Sequence, residues 1–480
     1  MRNTFFTRKN ITLFLLVMCA FINALNSSIV ANALPVMTTE LGIDSIHISW
    51  VITVFLIVTT STILVFGRLG DIFGNVFILQ SGLIVFAAGS LLCGISRTFS
   101  FLIAARIIQA IGTGAVMANN HGIITRIFPA QERGKALGLN AAFVALGNIT
   151  GPSAGGFILN YLNWHWLFLI MVPVALLLFI FQHILIPSDR HFTNERIDCI
   201  GSLLFVLSVS LIFYGFQNGS ADSGASFVTK LYMPAGLVFF VLFIIRQLTC
   251  RYHVLDLSLF QNREFDVNLL CASASYVSIQ VYNIIIPFYF QYALSMNAGE
   301  SGLYMSVYPV ILVCVAPLSG MISDKLGAEK ITVAGLFLLG LGQCLISFAC
   351  MHASLLSFMF FIVIMSVGNG MFQSPNNSMI MSSVPLNKVG VGGSLNALVR
   401  NFGQNIGVVI ATSGLYSGMS SCAGGYRITN LNGNNRELFL YGMSYVFRIT
   451  TVILFIALIL SVIRLMHKNQ KQEAVYGKGI

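Results

Sequence analysis

Apolar stretches about 20 residues long recur throughout this chain, and about 20 is what a helix needs to cross the hydrocarbon core of a bilayer. By that ruler fourteen stretches qualify: residues 11–34, 49–66, 76–96, 99–124, 134–159, 165–186, 197–216, 231–248, 267–292, 301–322, 331–350, 355–382, 390–418 and 440–465. Lipid offers a backbone amide no partner, so such segments must close their hydrogen bonds internally as helices. An all-α membrane protein is therefore expected. Composition agrees. Of 480 residues, 56% are hydrophobic and 9% charged, against roughly 25% charged in soluble domains. The mean hydropathy is +0.84.

The net charge of +10 invites a nucleic-acid reading. The placement of the basic residues argues against it. With the N-terminus inside, nineteen of the 26 Lys and Arg fall in inner segments. Four (Arg97, Lys230, Arg427, Arg436) lie outside, and three (Arg106, Arg400, Arg448) lie within spans. That asymmetry is a topology signal and predicts both termini in the cytoplasm, with the bilayer as the main partner. Residues 1–10 are basic and lead into an apolar run too long for a signal-peptide core of about 7–15 residues, so a retained first helix is expected. The nine cysteines include no Cys-x-x-Cys, and all but Cys422 sit in or beside apolar runs. They read as small hydrophobes and not as metal ligands or a disulfide frame.

A polar loop interrupts the runs twice in the same frame. Gly67, Arg68, Asp71 and Gly74 give Gly-x-x-x-Asp-x-x-Gly, and Gly320, Asp324 and Gly327 repeat it in the second half. Glycine permits a sharp turn where two helices nearly touch, and Asp71 could accept hydrogen bonds from the first turn of a neighbouring helix. A turn duplicated at matching places suggests a duplicated bundle, the build of secondary transporters. In the run 99–124, Arg106, Gln109, Thr113 and Asn120 share one helix face. An arginine inside a span is costly and should face protein or a wet cavity. In the run 134–159, Gly147, Gly151, Pro152, Gly155 and Gly156 favour close helix packing and a bend. No His-Glu-x-x-His, Gly-x-x-x-x-Gly-Lys or Gly-x-Ser-x-Gly occurs, so neither an enzyme nor a cofactor is expected.

These motifs resemble three signatures of the major facilitator superfamily. The stretch Leu25-Asn26-Ser27-Ser28-Ile29-Val30-Ala31-Asn32-Ala33-Leu34-Pro35 resembles a pattern of its fourteen-helix drug:proton antiporter branch, as do residues 128–136 and 373–377. The resemblance implies two six-helix bundles, here 11–186 and 266–466, a two-helix insertion at 187–265, and tails at 1–10 and 467–480. It implies a multi-pass protein of a bacterial plasma membrane, monomeric, that exports amphipathic compounds against protons by rocking about a central cavity. It carries a charge relay to Asp71, with Arg133 as partner, and less directly to Asp324.

One departure matters. The family's first-helix aspartate is Asn26 here, and none of the sixteen acidic residues falls mid-span. An amide cannot carry a proton. Cavity-facing candidates are neutral and polar: Asn23 and Asn26; Tyr276, Gln280, Asn283 and Gln291; Asn369, Gln373 and Asn376. Arg106 and Arg400 could favour an anion, with Gln109 beside the former. Candidates for proton coupling are His121, whose ordinary pKa is about 6.5, and the carboxylates Asp71, Asp266 and Glu300 near the mouths. Two alternatives stay open: a weakly coupled or uncoupled carrier of a neutral or anionic metabolite, and a transport-inactive sensor or scaffold. The segment 418–437, rich in Gly, Ser and Asn, is expected to form a mobile cover.

Overall fold

The computed structural model describes all residues except 1–7, 44, 188, 190–197, 220–226, 251–256, 350–353, 386–388, 425, 427–434 and 477–480. Residues 425 and 427–434 of the segment expected to form a cover therefore lie outside the described residues. The long helices are α1 (Arg8–Ile29), α2 (Trp50–Phe73), α3 (Asn75–Gly94), α4 (Phe99–Ile127), α5 (Ala130–Tyr161) and α6 (Met171–Leu185). Next come α7 (Cys199–Gly219) and α8 (Phe227–Thr249). The second set is α9 (Arg263–Phe288), α10 (Val307–Leu326), α11 (Ala328–Ala349), α12 (Leu355–Ser382), α13 (Val389–Cys422) and α14 (Arg436–Tyr476).

Among the described residues, 12 helices are long and apolar enough to cross a membrane. The expected fourteen crossings are thus not shown. The apolar part of α7 is short, Cys199–Gly215. Helix α13 has the length, but Asn396, Arg400, Asn401, Gln404 and Asn405 make it polar. The expected bend at Gly151-Pro152 does not break α5, which runs unbroken through Pro152. The cysteines divide: Cys19, Cys93 and Cys271 are buried, but Cys199, Cys314 and Cys422 are exposed. The apolar surroundings of Cys199 and Cys314 suit a lipid-facing surface, which sequence cannot distinguish from a core.

The duplication is visible in the packing. In the first set α1 packs on α5 and α6, α4 on α2 and α3, and α3 on α6. The second set repeats each pairing: α9 on α13 and α14, α12 on α10 and α11, and α11 on α14. Small residues set the spacing alike in both. A Cβ on Gly112 would strike the α3 backbone at Phe86, and one on Gly368 the α11 backbone at Leu339. The repeated loops also close alike. Gly74 (φ 103, ψ 127) and Gly327 (φ 93, ψ 132) adopt the same left-handed turn. Each donates its N–H to the residue four before it, at 2.9 Å.

At this end of the molecule the charged side chains pair. Lys9 meets Glu132 at 3.5 Å and Arg68 meets Asp71 at 3.9 Å. The first turn of α3 is met by Asp189, whose carboxylate accepts from Val76 N at 3.0 and 3.2 Å and pairs with Arg126 at 3.2 Å. A carboxylate from the loop after α6 thus meets that helix terminus. Gly74 could not carry a side chain there: a Cβ would come within 2.6 Å of Asp189.

Helices α7 and α8 pack on each other, and α7 also packs on α2 and α13. Phe205, Val209, Phe213 and Phe243 join Ile63, Leu64, Leu395 and Leu398 in one buried cluster. The pair is tied at one end by Asp198, whose fully buried carboxylate takes Arg246 at 3.1 Å and the Gly201 N–H at 3.0 Å. Burial opposes charge on Asp198, but these hydrogen bonds outweigh it and hold the carboxyl below its ordinary value. A depressed carboxyl stabilises above its unfolded pKa, about 3.9, and the contribution is lost as the pH falls through the folded value. We expect Asp198→Asn to lower thermal stability in detergent by about 1–3 kcal/mol at neutral pH. The deficit relative to wild type should shrink toward about pH 3, as differential scanning at several pH values will measure.

Candidate functional site

Helices α1, α2, α4 and α5 line a small, partly open cavity of about 40 Å³ with α13 of the other half. Its apolar lining includes Ala20, Phe55, Leu56, Met117 and Val144. The first half contributes the polar groups Asn23, Ser27, Thr59, Thr113, Asn120 and His121, with Asn140 and Asn148 from α5. The other half contributes Arg400, Asn401 and Gln404, one turn of α13. None of these lining residues is acidic. Amides and hydroxyls both donate and accept, so these groups can hydrogen-bond a polar solute without themselves choosing a charge for it. Phe55 and Leu56 offer it an apolar bed.

Behind Phe55 lies a second polar group, sealed from the cavity. Arg106 is fully buried. Its Nε donates to the Val51 carbonyl at 2.9 Å and its Nη1 to Gln109 Oε1 at 2.5 Å. Gln109 Nε2 then donates to Asn26 Oδ1 at 3.1 Å and to Ser90 Oγ at 2.8 Å. The guanidinium lies 4.2 Å from the centre of the Phe55 ring and 5.5 Å from that of Phe168. A cation on aromatic faces gains about 2 kcal/mol or more when desolvated. Arg106 is therefore held by a carbonyl, an amide and two rings, with no carboxylate among its described partners. Asn26 occupies the far end of this chain and not the cavity wall.

Towards the end opposite the paired charges, the halves are locked by Asn32, just beyond α1 and fully buried. Its Nδ2 donates to the carbonyls of Pro152 at 3.3 Å and Ala298 at 3.4 Å. Its Oδ1 accepts from Gln291 Nε2 at 3.0 Å and Ser301 Oγ at 3.2 Å. Its own carbonyl accepts from Gln291 at 3.1 Å. Both donors and the side-chain acceptor are thus used, and three of the four partner residues belong to the other half. Beside it Gly156 and Gly302 abut so closely that a Cβ on either would come within 3.0 Å of the other's backbone. The cavity lies between this latch and the charged end.

The structure distributes the sequence candidates over several places. Asn23 and His121 line the cavity; Asn26, Arg106 and Gln109 form the sealed network. Tyr276, Gln280, Asn283, Asn369, Gln373 and Asn376 are not among the lining residues. Helix α13 intervenes: a Cβ on Gly403 would press on Tyr276, and one on Gly407 on Gln280. Asn369 accepts from Ser275 at 3.1 Å, and Asn376 donates to the Asn268 carbonyl at 3.2 Å, which ties α9 to α12. Asn283 and Gln373 are half-buried. Gly147, Gly151 and Gly155 form the seam of α5 on α1, facing Phe21, Ser28 and Ile29. Gly67 is open, its Cβ position 4.0 Å from Ala118. Asp266 lies in the first turn of α9, and Glu300 closes a capping box with Asn297. The side chains of Arg133 and Asp324 lie outside the described residues. Sequence reading passed over Asn140, Asn148, Asn401 and Gln404. Their helical spacing, eight residues on α5 and three on α13, was the available signal.

A helical bundle in two matching halves, with a polar cavity between them and a latch across one end, defines a membrane transporter. Residues 16–248 and 269–478 match the Major Facilitator Superfamily. The chain belongs to that family. It is 33% identical over 410 residues to the riboflavin transporter RibZ of Clostridioides difficile (strain 630), covering 85% of this chain and 88% of the relative. It is 27% identical over 399 residues to the multidrug transporter protein MdtP of Bacillus subtilis (strain 168), covering 82% and 73%. In fold it is similar to a solved bacterial homologue of the human lysosomal transporter Spinster, with TM-score 0.65 and 14% identity, covering 95% and 96%. The protein is a multi-pass membrane protein with bacterial relatives.

The latch can be tested. Asn32→Ala should loosen the sealed end. In a single-cysteine background, maleimide labelling of Met305→Cys, now fully buried, should rise about tenfold, the change that about 1.4 kcal/mol produces. Labelling unchanged by Asn32→Ala would mean that the apolar packing alone holds this end.

Proposed function

We propose that the protein exports amphipathic small molecules across the bacterial plasma membrane by alternating access, as a monomer with fourteen crossings and both termini in the cytoplasm. The observation that carries this reading is the polar cavity enclosed by both halves and closed on one side by Asn32. In this reading α7 and α13 complete the fourteen, with their polar residues shielded by neighbouring helices. The paired-charge end, rich in Lys and Arg, faces the cytoplasm in keeping with the positive-inside tendency. Loosening the Asn32 latch while the charged loops close would expose the cavity to the other side. The relatives support a small-molecule cargo: RibZ is a riboflavin transporter and MdtP a multidrug transporter.

Proton antiport enters this reading through His121, which lines the cavity. Asp71, Asp266 and Glu300 stand elsewhere, at helix ends. A second reading, an uncoupled carrier, is favoured by a specific observation: the position where the family pattern has an aspartate holds an amide that is bonded to Gln109. Riboflavin flux in proteoliposomes separates the two. Saturable flux that an imposed pH gradient accelerates in the wild type but not in His121→Gln, with exchange at equal pH retained, supports antiport. Saturable flux indifferent to the gradient in both supports the uncoupled carrier. No saturable flux of riboflavin, or of any dye in a broad panel, removes the transport reading.

A further inference from the structure

We propose that the cavity selects a solute bearing a negative charge, and that Arg400 is its charge partner; this rests on the transport reading above. The three arginines expected within spans differ in how they are held. Arg106 is engaged by Val51, Gln109 and two aromatic faces, and lies behind Phe55. Arg448 is exposed and lies over Phe348. Arg400 lines the cavity, and among the described residues no side chain or carbonyl gives it a hydrogen bond or an ion pair.

A guanidinium at the wall of a membrane cavity is costly unless an anion or hydrogen-bond acceptors meet it. The lining residues supply no carboxylate to do so. Its planar fork of donors fits a carboxylate, sulfonate or phosphate. The neighbouring side chains suit the remaining oxygens. Asn401 Nδ2 has no partner among the described residues, and Gln404 stands one turn further along the same face. Across the cavity His121 is the other titratable lining group. When it protonates it adds positive charge, so no protonation state of the wall favours a cation. The solute's apolar body lies against Phe55, Leu56 and Val144. The same wall, with an arginine and no carboxylate, disfavours organic cations.

The purified full-length protein in lipid nanodiscs provides the test, with three dyes as probes: fluorescein, an anion; rhodamine 123, a cation on the same xanthene frame; and riboflavin, uncharged. Anisotropy titrations should give fluorescein affinity about tenfold or more above that of rhodamine 123. Arg400→Gln should erase that ratio, chiefly by weakening fluorescein binding about tenfold. Arg400→Lys should keep part of it. Gln404→Glu, which sets a carboxylate beside an intact Arg400, should reduce it as well, so the result does not depend on one variant folding. A ratio unchanged in Arg400→Gln of wild-type thermal stability, or a wild type that prefers rhodamine 123, overturns the proposal. Riboflavin flux without charge preference overturns the anion assignment and leaves the transport reading standing. Absence of binding and flux for all three dyes overturns both.

Discussion

Every polar group that this chain buries must find its partner inside the bundle, because lipid supplies none. This chain has only 16 acidic residues, and the described ones cluster at helix ends. Its interior is joined by amides and hydroxyls instead. Asn119 accepts from Asn75 and donates to the Phe66 and Ala115 carbonyls, fastening α4 to α2 and α3. Ser278 donates to Gln343, and Asn405 to Thr60 across the two halves. An amide carries a donor and an acceptor on one rigid plane, so a single residue can bridge three elements, as Asn32 does. Such bonds do not titrate. These amide and hydroxyl contacts are therefore indifferent to pH, and pH sensitivity must come from the few ionisable groups, such as the Asp198–Arg246 pair and those at the cavity or the loops.

The second requirement is closeness. Side-chain hydrogen bonds of 2.8–3.4 Å between helices exist only where backbones approach, and small residues permit that approach. The stripes Gly147, Gly151 and Gly155 on α5 and Gly403 and Gly407 on α13 meet α1 and α9 respectively. These two seams are the counterparts of each other in the repeated pairing. They bring the polar faces of α5 and α13 to the cavity, one from each half. Stiff helices packed this tightly have few continuous deformations available; small-area contacts between the halves, such as Asn32 with Gln291 and Ser301, are where relative motion can break and remake structure.

The architecture was legible because its signals are periodic and redundant. Apolar runs, the duplicated Gly-x-x-x-Asp-x-x-Gly frame and the glycine stripes each recur, and both closing glycines share one backbone conformation. Crossing number was less legible. Helix α13 is long but polar, and a polar face buried against protein has the same composition as a non-membrane segment. The site was half legible. Asn23 and His121 reach the cavity, yet Asn26, equally polar and three residues along α1, turns to Gln109. At that spacing on a helix a modest rotation decides whether an amide meets solute or protein, and sequence does not fix rotation. The stripe on α9 was displaced for a different reason: α13 lies against it, and its small residues, which look like mere packing, give α13 the wall position.

The two inner arginines carry this logic furthest. Both cost free energy to place in a span, and the fold resolves them in opposite ways. Arg106 is engaged within the protein by two π faces, the Val51 carbonyl and Gln109, with only its Nη2 left without a hydrogen-bond partner among the described residues. An amide at position 26 is sufficient there because the guanidinium needs an acceptor at Gln109 and no full charge. Its removal from the cavity, behind Phe55, also means that its charge acts on a solute through an aromatic ring and not by contact. Arg400 is left facing the solute side with only neutral polar neighbours along its helix. A carboxylate at position 26 would sit in that sealed network beside Gln109 and not on the cavity wall. The permanent charge on the cavity lining is therefore the one contributed by α13, and what the transporter accepts follows from that helix more than from the first.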